Sequence, residues 1–233
     1  MKFMFLAVTY LAIVLVGGEN NIESGARSPE ISVSGWGGLI DPDGDCKFTI
    51  EMGSLRMGLP GSDHSLGYER GVMNAPRTIR GVEGDFIAQV EVSGSFPAGA
   101  TSLLSNRRPF HGAGLLVWLD EKNYIRLERA ELVFDGQNMS YANFECRTDG
   151  EFVRKGDASE LPLPEGPMHL RLERRGSTLL GEVSSDGVHW TAMAPITIEL
   201  PQQVSVGVVA SHNTSSPFEP EFKSFKVYTL QGK

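Results

Sequence analysis

From Trp36 onward the chain alternates apolar and polar residues in short runs, broken by turn residues about every ten positions. In GDFIAQVEVSG, Phe86, Ala88, Val90 and Val92 alternate with Ile87, Gln89, Glu91 and Ser93. AGLLVWLDEKNYIRLERA holds two apolar runs joined by Asp120–Asn123 and reads as a hairpin. MSYANFECRTDGEF carries a strand into a Thr-Asp-Gly turn, and MHLRLERRGSTLLGEVSSDGVHW gives two strands around Arg175–Gly176 and then a Ser-Asp-Gly turn. VSVGVVASH and FEPEFKSFKVYTL close the series. A helix of three turns would need apolar residues at a period near 3.6, and no stretch has them. With 27 Gly and 13 Pro to serve many turns, the chain is predicted to be all-β.

Successive residues of a strand point to opposite faces. One face then carries Phe86, Val90, Val92, Ile125, Leu127, Phe144, Leu170 and Leu172. The other carries Gln89, Glu91, Tyr124, Arg126, Glu128, Tyr141, Asn143, Glu145, Arg147, His169, Arg171, Glu173 and Glu182. Placed in one antiparallel sheet, these strands would make a wide polar surface with aromatic residues on it. Cross-strand Arg–Glu pairing accounts for such a face with no function attached. A binding surface accounts for it equally well. Tyr124 is the expected stacking platform for a sugar ring, with Arg126, Glu128, Glu145, Arg147 and Arg171 expected to hydrogen-bond its hydroxyls. Trp118, set opposite Ile125 by a four-residue loop, is expected in the core.

The N-terminus differs from the rest. Lys2 precedes an apolar run from Phe3 to Val16, followed by Gly17 and Gly18, the pattern of a secretory signal peptide over residues 1–18. A spanning helix needs about 20 apolar residues, and this run is shorter; an uncleaved anchor is the alternative. Residues 19–34 read as a flexible polar tether, 35–229 as the folded domain and 230–233 as a tail. The chain is thus expected to be secreted, periplasmic or on the cell surface. Its two cysteines, Cys46 and Cys146, both lie on the apolar side of their segments. In an exported chain they are expected to form a disulfide, two separate buried thiols being the alternative. The net charge of −8 and the lack of any Lys/Arg run argue against nucleic acid and anionic membrane surfaces as partners. No phosphate-cradling glycine loop suggests a nucleotide.

Five stretches together resemble the concanavalin-A-like lectin/glucanase superfamily: SGWGGLIDPDGDCKFT, NAPRTIRGVEGDFIAQVEVSG, HGAGLLVWLDEKNYIRLERA, SSDGVHWT and VSVGVVASHNTSSPFEPEFKSFKV. Within it they are most similar to a family of unknown function that includes the fungal regulation-of-enolase proteins. The resemblance spans residues 35–229 and implies a two-sheet antiparallel β-sandwich of the jelly-roll type. Relatives in the wider superfamily bind or cut glycans on the concave sheet, whereas the narrower family has no agreed activity.

The glucanase relatives carry Glu-x-Asp-x-Glu or Glu-x-Asp-x-x-Glu on one strand. The nearest segment here is Arg126-Leu127-Glu128-Arg129-Ala130-Glu131, which lacks the central Asp and sets Glu128 and Glu131 on opposite faces. A carboxyl pair would have to form across strands, as Glu128 with Glu145. Asp41, Asp43 and Asp45 alternate in a turn and could hold a structural Ca²⁺ or simply shape the turn. Asn74 and Arg77, in Asn-Ala-Pro-Arg, could bind sugar hydroxyls or cap a turn. His64, His111 and His212 have no zinc-motif spacing, so no zinc site is expected, and no Gly-x-Ser-x-Gly marks a nucleophile. The first expectation is therefore a non-catalytic module that binds glycan or cell-surface polysaccharide. A structural or protein-interaction sandwich and a glycoside hydrolase are the alternatives.

Overall fold

The computed structural model describes residues 31–33, 35–99, 101–153 and 160–230. The Phe3–Val16 run, the cleavage point after Gly18, residues 19–30 of the expected tether and residues 231–233 of the tail lie outside them.

Two antiparallel sheets pack face to face. The first has the order β1 (Ile31–Val33), β2 (Gly37–Ile40), β7 (Arg77–Glu83), β18 (Gln203–His212), β9 (Phe110–Trp118), β10 (Tyr124–Phe134), β11 (Gln137–Thr148) and β12 (Glu151–Phe152), with β13 (Glu160–Pro162) also on β11. The second runs β16 (Thr191–Ala192), β15 (Thr178–Ser184), β14 (Met168–Arg175), β8 (Phe86–Ser93), β19 (Glu221–Thr229), β4 (Ser54–Gly58) and β3 (Lys47–Glu51), with β17 (Ile196–Thr197) also on β15. A small hairpin, β5 (Leu66–Gly67) and β6 (Val72–Met73), stands apart from both. The expected all-β sandwich is the fold. The expected tether ends sooner than its pattern suggested, because Ile31–Val33 pairs with Gly37–Leu39 at the edge of the first sheet.

Alternation becomes packing directly. Phe86, Ala88, Val90 and Val92 of β8, Ile125 and Leu127 of β10, Phe144 of β11 and Leu170 and Leu172 of β14 are all buried in one core between the sheets. Trp36 joins it, stacked on Phe225 at 5.5 Å and edge-on to Phe222 at 6.5 Å, which ties the edge of the first sheet to β19. The β10–β11 hairpin closes on Asp135 and Gly136, with φ of 49° and 75°. A two-residue turn with both φ positive matches the twist of its strands.

Three expectations need correction here. The polar residues do not share one face. Those of β10 and β11 lie on the outer side of the first sheet, and those of β8, β14 and β15 on the outer side of the second. Trp118 is not a core residue: it pairs with Tyr124, and Val117 pairs with Ile125. The connecting loop therefore has one residue more than expected, and a one-residue slip turns a side chain to the opposite face. Asp120 sets that loop, its carboxylate accepting from the Lys122 and Asn123 amides at 2.8 and 2.9 Å. Finally, Cys46 and Cys146 are free thiols rather than a disulfide. Cys46 immediately precedes β3 at one edge of the second sheet, and Cys146 sits in β11 toward the far edge of the first. Burial in the same core does not bring them together.

Candidate functional site

The outer face of the first sheet is divided into a covered end and an open end. At the covered end the β5–β6 hairpin folds over β9, β10 and β18. Tyr124, Leu66, Ala75, Leu116 and Val209 form a second, smaller core there, with Met73, Ile79 and Trp118 at its margin. Tyr124 has no exposed surface and stacks on Trp118 at 5.8 Å. Its hydroxyl donates to the Leu66 carbonyl at 2.8 Å, and burial pushes its pKa upward. It cannot be a sugar platform, because the hairpin already occupies its ring face. Arg77 is a structural clamp of the same region. Its guanidinium lies 4.4 Å from the Trp118 ring centroid and donates to the Ala75 carbonyl at 2.9 Å. Burial lowers its pKa to about 10. Asn74 also serves the loop, accepting from the Ser65 amide at 2.9 Å and donating to the Asp43 carboxylate at 2.6 Å and the Asp63 carbonyl at 2.8 Å.

At the open end lies a cleft of about 570 Å³, lined among others by Arg126, Tyr141, Asn143, Glu145, Arg147 and Ser211. Alternation along β10 and β11 aims these side chains outward, and the register sets Arg126 opposite Glu145 and Glu128 opposite Asn143. Arg126 grips Glu145 with two nitrogens, Nε at 2.8 Å and Nη2 in a second, shorter contact. Its Nη1 reaches Glu128 at 3.3 Å. Asn143 donates to the other Glu128 oxygen at 3.0 Å, and the Ser211 hydroxyl donates to Oε1 at 3.2 Å. The β9 neighbour of Glu128 is Gly114, where the two strands approach too closely for a side chain. A Cβ at that position would meet the Leu127 carbonyl oxygen at 2.0 Å. Arg147 closes the network, donating to Glu145 at 3.2 Å and contacting Glu69 at 2.8 Å.

These charges are buried and mutually dependent. Burial pushes the Glu128 carboxyl above its ordinary range against the pull of Arg126. Burial also opposes the Arg126 charge, but the two carboxylates more than offset it and hold the guanidinium firmly protonated. Removing one member of such a set strands the others in low dielectric. Both Glu128 oxygens are taken and the residue has no exposed surface. The Glu128–Glu145 pair considered for hydrolysis is thus bridged by one guanidinium, with no space for a sugar between the carboxyls.

Of the expected site residues, Arg126, Glu145 and Arg147 line the cleft, Glu128 lies beneath it, and Tyr124, Asn74 and Arg77 belong to the covered end. Arg171 is on the other sheet, 2.6 Å from Glu182 and 4.1 Å above the Trp190 ring. The structure adds Arg107, Arg108, Phe110, Ser211 and Phe152 to the cleft wall. Only Ser211 carried a readable signal, as the polar outward position in VSVGVVASH. The Asp41–Asp45 turn sends its carboxylates to different partners. Asp41 accepts from the Gly44 and Cys46 amides, Asp43 from Asn74, and Asp45 meets His64.

The fold has counterparts among solved structures. A functionally unknown protein from Saccharomyces cerevisiae matches with a TM-score of 0.62 at 17% identity, over 80% of this chain and 93% of that one. The GH43 protein BlXynB from Bacillus licheniformis matches with a TM-score of 0.56 at 14% identity, over 82% of this chain and 39% of that one. A xylan β-1,4-xylosidase from Bacillus halodurans C-125 gives 0.53 at 13%, over 86% and 39%. The chain therefore spans about two fifths of those two Bacillus proteins, and at these identities the likeness is one of fold. No curated protein matches the sequence. The family described as protein of unknown function (DUF1349) matches residues 64–230, a span that holds the whole cleft and its covering hairpin, and the chain belongs to that family.

Proposed function

We propose that this domain is an exported, non-catalytic module that binds glycan or cell-surface polysaccharide in the cleft on the first sheet. The observation that carries the reading is a walled depression of about 570 Å³ whose polar floor is already fixed by its own hydrogen bonds. Sites of roughly 300–1,000 Å³ with a few immobilised polar groups and apolar walls suit small ligands and chain segments. The wall supplies the apolar part: Tyr141, Phe110 and Leu132 are partly exposed and Phe152 is 44% exposed. Tyr141 takes the platform role that Tyr124 cannot fill. A glucanase-like mechanism is disfavoured because the two buried carboxylates are spoken for by Arg126.

The cleft also has a charge of its own. Arg70, Arg107, Arg126 and Arg147 line it already paired with Asp63, Glu69, Glu128 and Glu145, whereas the exposed Arg108 has no carboxylate partner among the described residues and lies 4.1 Å from the Phe134 ring centroid. A saccharide bearing carboxylate or sulfate groups fits that unpaired guanidinium better than a neutral one. The two Bacillus chains lend support only in that their sandwich fold occurs in proteins named for xylan or glycoside hydrolysis. Kinship with the fungal regulation-of-enolase proteins belongs to the same proposal, the yeast structure supporting it at the level of architecture. A glycan array probed with residues 31–230 tests the reading. Retention on acidic polysaccharides, weaker on neutral ones, is expected. Failure to bind any glycan on the array would overturn it.

A further inference from the structure

A second cluster lies on the inner side of the loop that carries the β5–β6 hairpin. Asp45 Oδ1 is 3.0 Å from His64 Nε2 and 3.6 Å from Cys46 Sγ, and one ligand atom from each of the three residues lies within 4.8 Å of the others. Zinc bound tetrahedrally at about 2.0 Å to nitrogen and oxygen and about 2.3 Å to sulfur holds its ligands roughly 3.3–3.8 Å apart. The three donors are therefore almost at coordinating separation.

The histidine gives an independent reason to place a cation there. His64 is fully buried and held by paired backbone hydrogen bonds with His212, each 2.9 Å, and by ring stacking on His212 at 5.6 Å. Its Nδ1 lies 3.1 Å from the Ser62 carbonyl oxygen, with the Ser62 hydroxyl farther off at 3.5 Å, and its Nε2 faces the Asp45 carboxylate. Two acceptor oxygens thus confront the two ring nitrogens, and a neutral imidazole can donate to only one of them. Donation from Nδ1 to a backbone carbonyl is the arrangement that leaves the Nε2 lone pair free for a metal. With Nδ1 as the donor, the Nε2 lone pair faces the Asp45 carboxylate, and a cation between them would bind both. Asp41 adds negative charge at the same spot, since its Oδ2 accepts from the Cys46 amide at 3.0 Å.

We propose that Asp45, Cys46 and His64 bind a zinc-like transition-metal ion, with water completing the shell. One nitrogen, one sulfur and one oxygen donor suit zinc, whereas calcium and magnesium take oxygen ligands. The ion would tie the approach to β3 to the loop that covers Tyr124 and walls the cleft, which makes it structural. This inference does not depend on what the cleft binds.

The test is calorimetric titration of the reduced full chain with Zn²⁺ alone, together with absorption spectra on adding Co²⁺. Saturable one-to-one binding and a thiolate-to-cobalt band in the near ultraviolet are expected. Cys46→Ser should abolish the band and weaken Zn²⁺ binding more than about tenfold, while Cys146→Ser should leave both unchanged. Asp45→Asn, at a side chain 42% exposed, should weaken binding in a protein that still folds. Absence of one-to-one binding, or affinity unaltered in both Cys46→Ser and Asp45→Asn, would overturn the site.

Discussion

On the outer face of β10 and β11, Arg126 lies between Glu128 and Glu145 with side-chain exposures of 12%, 0% and 3%. On the outer face of β14 and β15, Arg171 meets Glu182 at 23% and 13%, and Arg175 meets Glu173 at 58% and 23%. Both faces come from the same alternating pattern, and both pair arginine with glutamate. What separates them is cover. The first face has the β5–β6 hairpin over one end and the 104–108 segment at the wall of the other, so its charges are enclosed in a cleft. The second face has Trp190 against Arg171, and its charged side chains keep more contact with water. Enclosed charges gain strength and become costly to leave unpaired, whereas exposed pairs are screened and individually weak. The same kind of ion pair is thus part of a built site on one sheet and surface dressing on the other.

The largest difference should appear on removing one arginine from each face. Arg126→Met leaves two buried carboxylates facing each other and should cost about 3–5 kcal/mol. Arg171→Met should cost at most about 1 kcal/mol. Urea unfolding of the two variants measures this directly, and equal losses would erase the distinction between the faces.

Acid adds a contribution from neither face, and removing it sharpens the comparison. His111 is buried on the inner side of β9 with Nε2 2.8 Å from the Thr214 hydroxyl; burial, then the neighbouring His212, lowers its pKa from 6.5 to about 4. Because the folded value lies below the unfolded one, the unfolded chain binds more protons between them. Stability from this group is therefore complete above pH 6.5 and is lost as pH falls toward 4, by roughly 3 kcal/mol. His111→Gln should flatten the stability profile in that window, as read from urea midpoints at pH 7 and 4.5. An unchanged slope would place the acid sensitivity elsewhere.

How much of this was legible follows from the range of each signal. Alternation acts between neighbours, so the strands, the all-β class and the sharing of a face by Arg126 and Glu128 could be read directly. Alternation cannot say which strands share a sheet, so it groups Arg171 with residues on the opposite side of the molecule. The face of Trp118 turned on a single residue of loop length set by the Asp120 carboxylate. Tyr124 read as exposed because its cover, Leu66 to Met73, lies more than fifty positions earlier in the chain. Cys46 and Cys146 both read correctly as facing the apolar side, yet a shared core says nothing about which edge each occupies. The Asp45–Cys46–His64 cluster has no motif spacing and exists only because the turn before β3 meets the loop after β4.

The central claim is that the enclosed face binds and the open face does not. Affinity electrophoresis in a gel containing one acidic polysaccharide that the domain retains, run with Tyr141→Ala, Arg108→Ala and Arg171→Ala side by side, tests it most directly. Tyr141 and Arg108 line the cleft, and Arg171 lies on the other sheet. The account predicts that the first two variants lose about tenfold or more in affinity, in keeping with 1–2 kcal/mol for a stacked ring or a charged contact, while Arg171→Ala stays within about twofold of the parent. Loss of binding in Arg171→Ala with Tyr141→Ala and Arg108→Ala unaffected would contradict it.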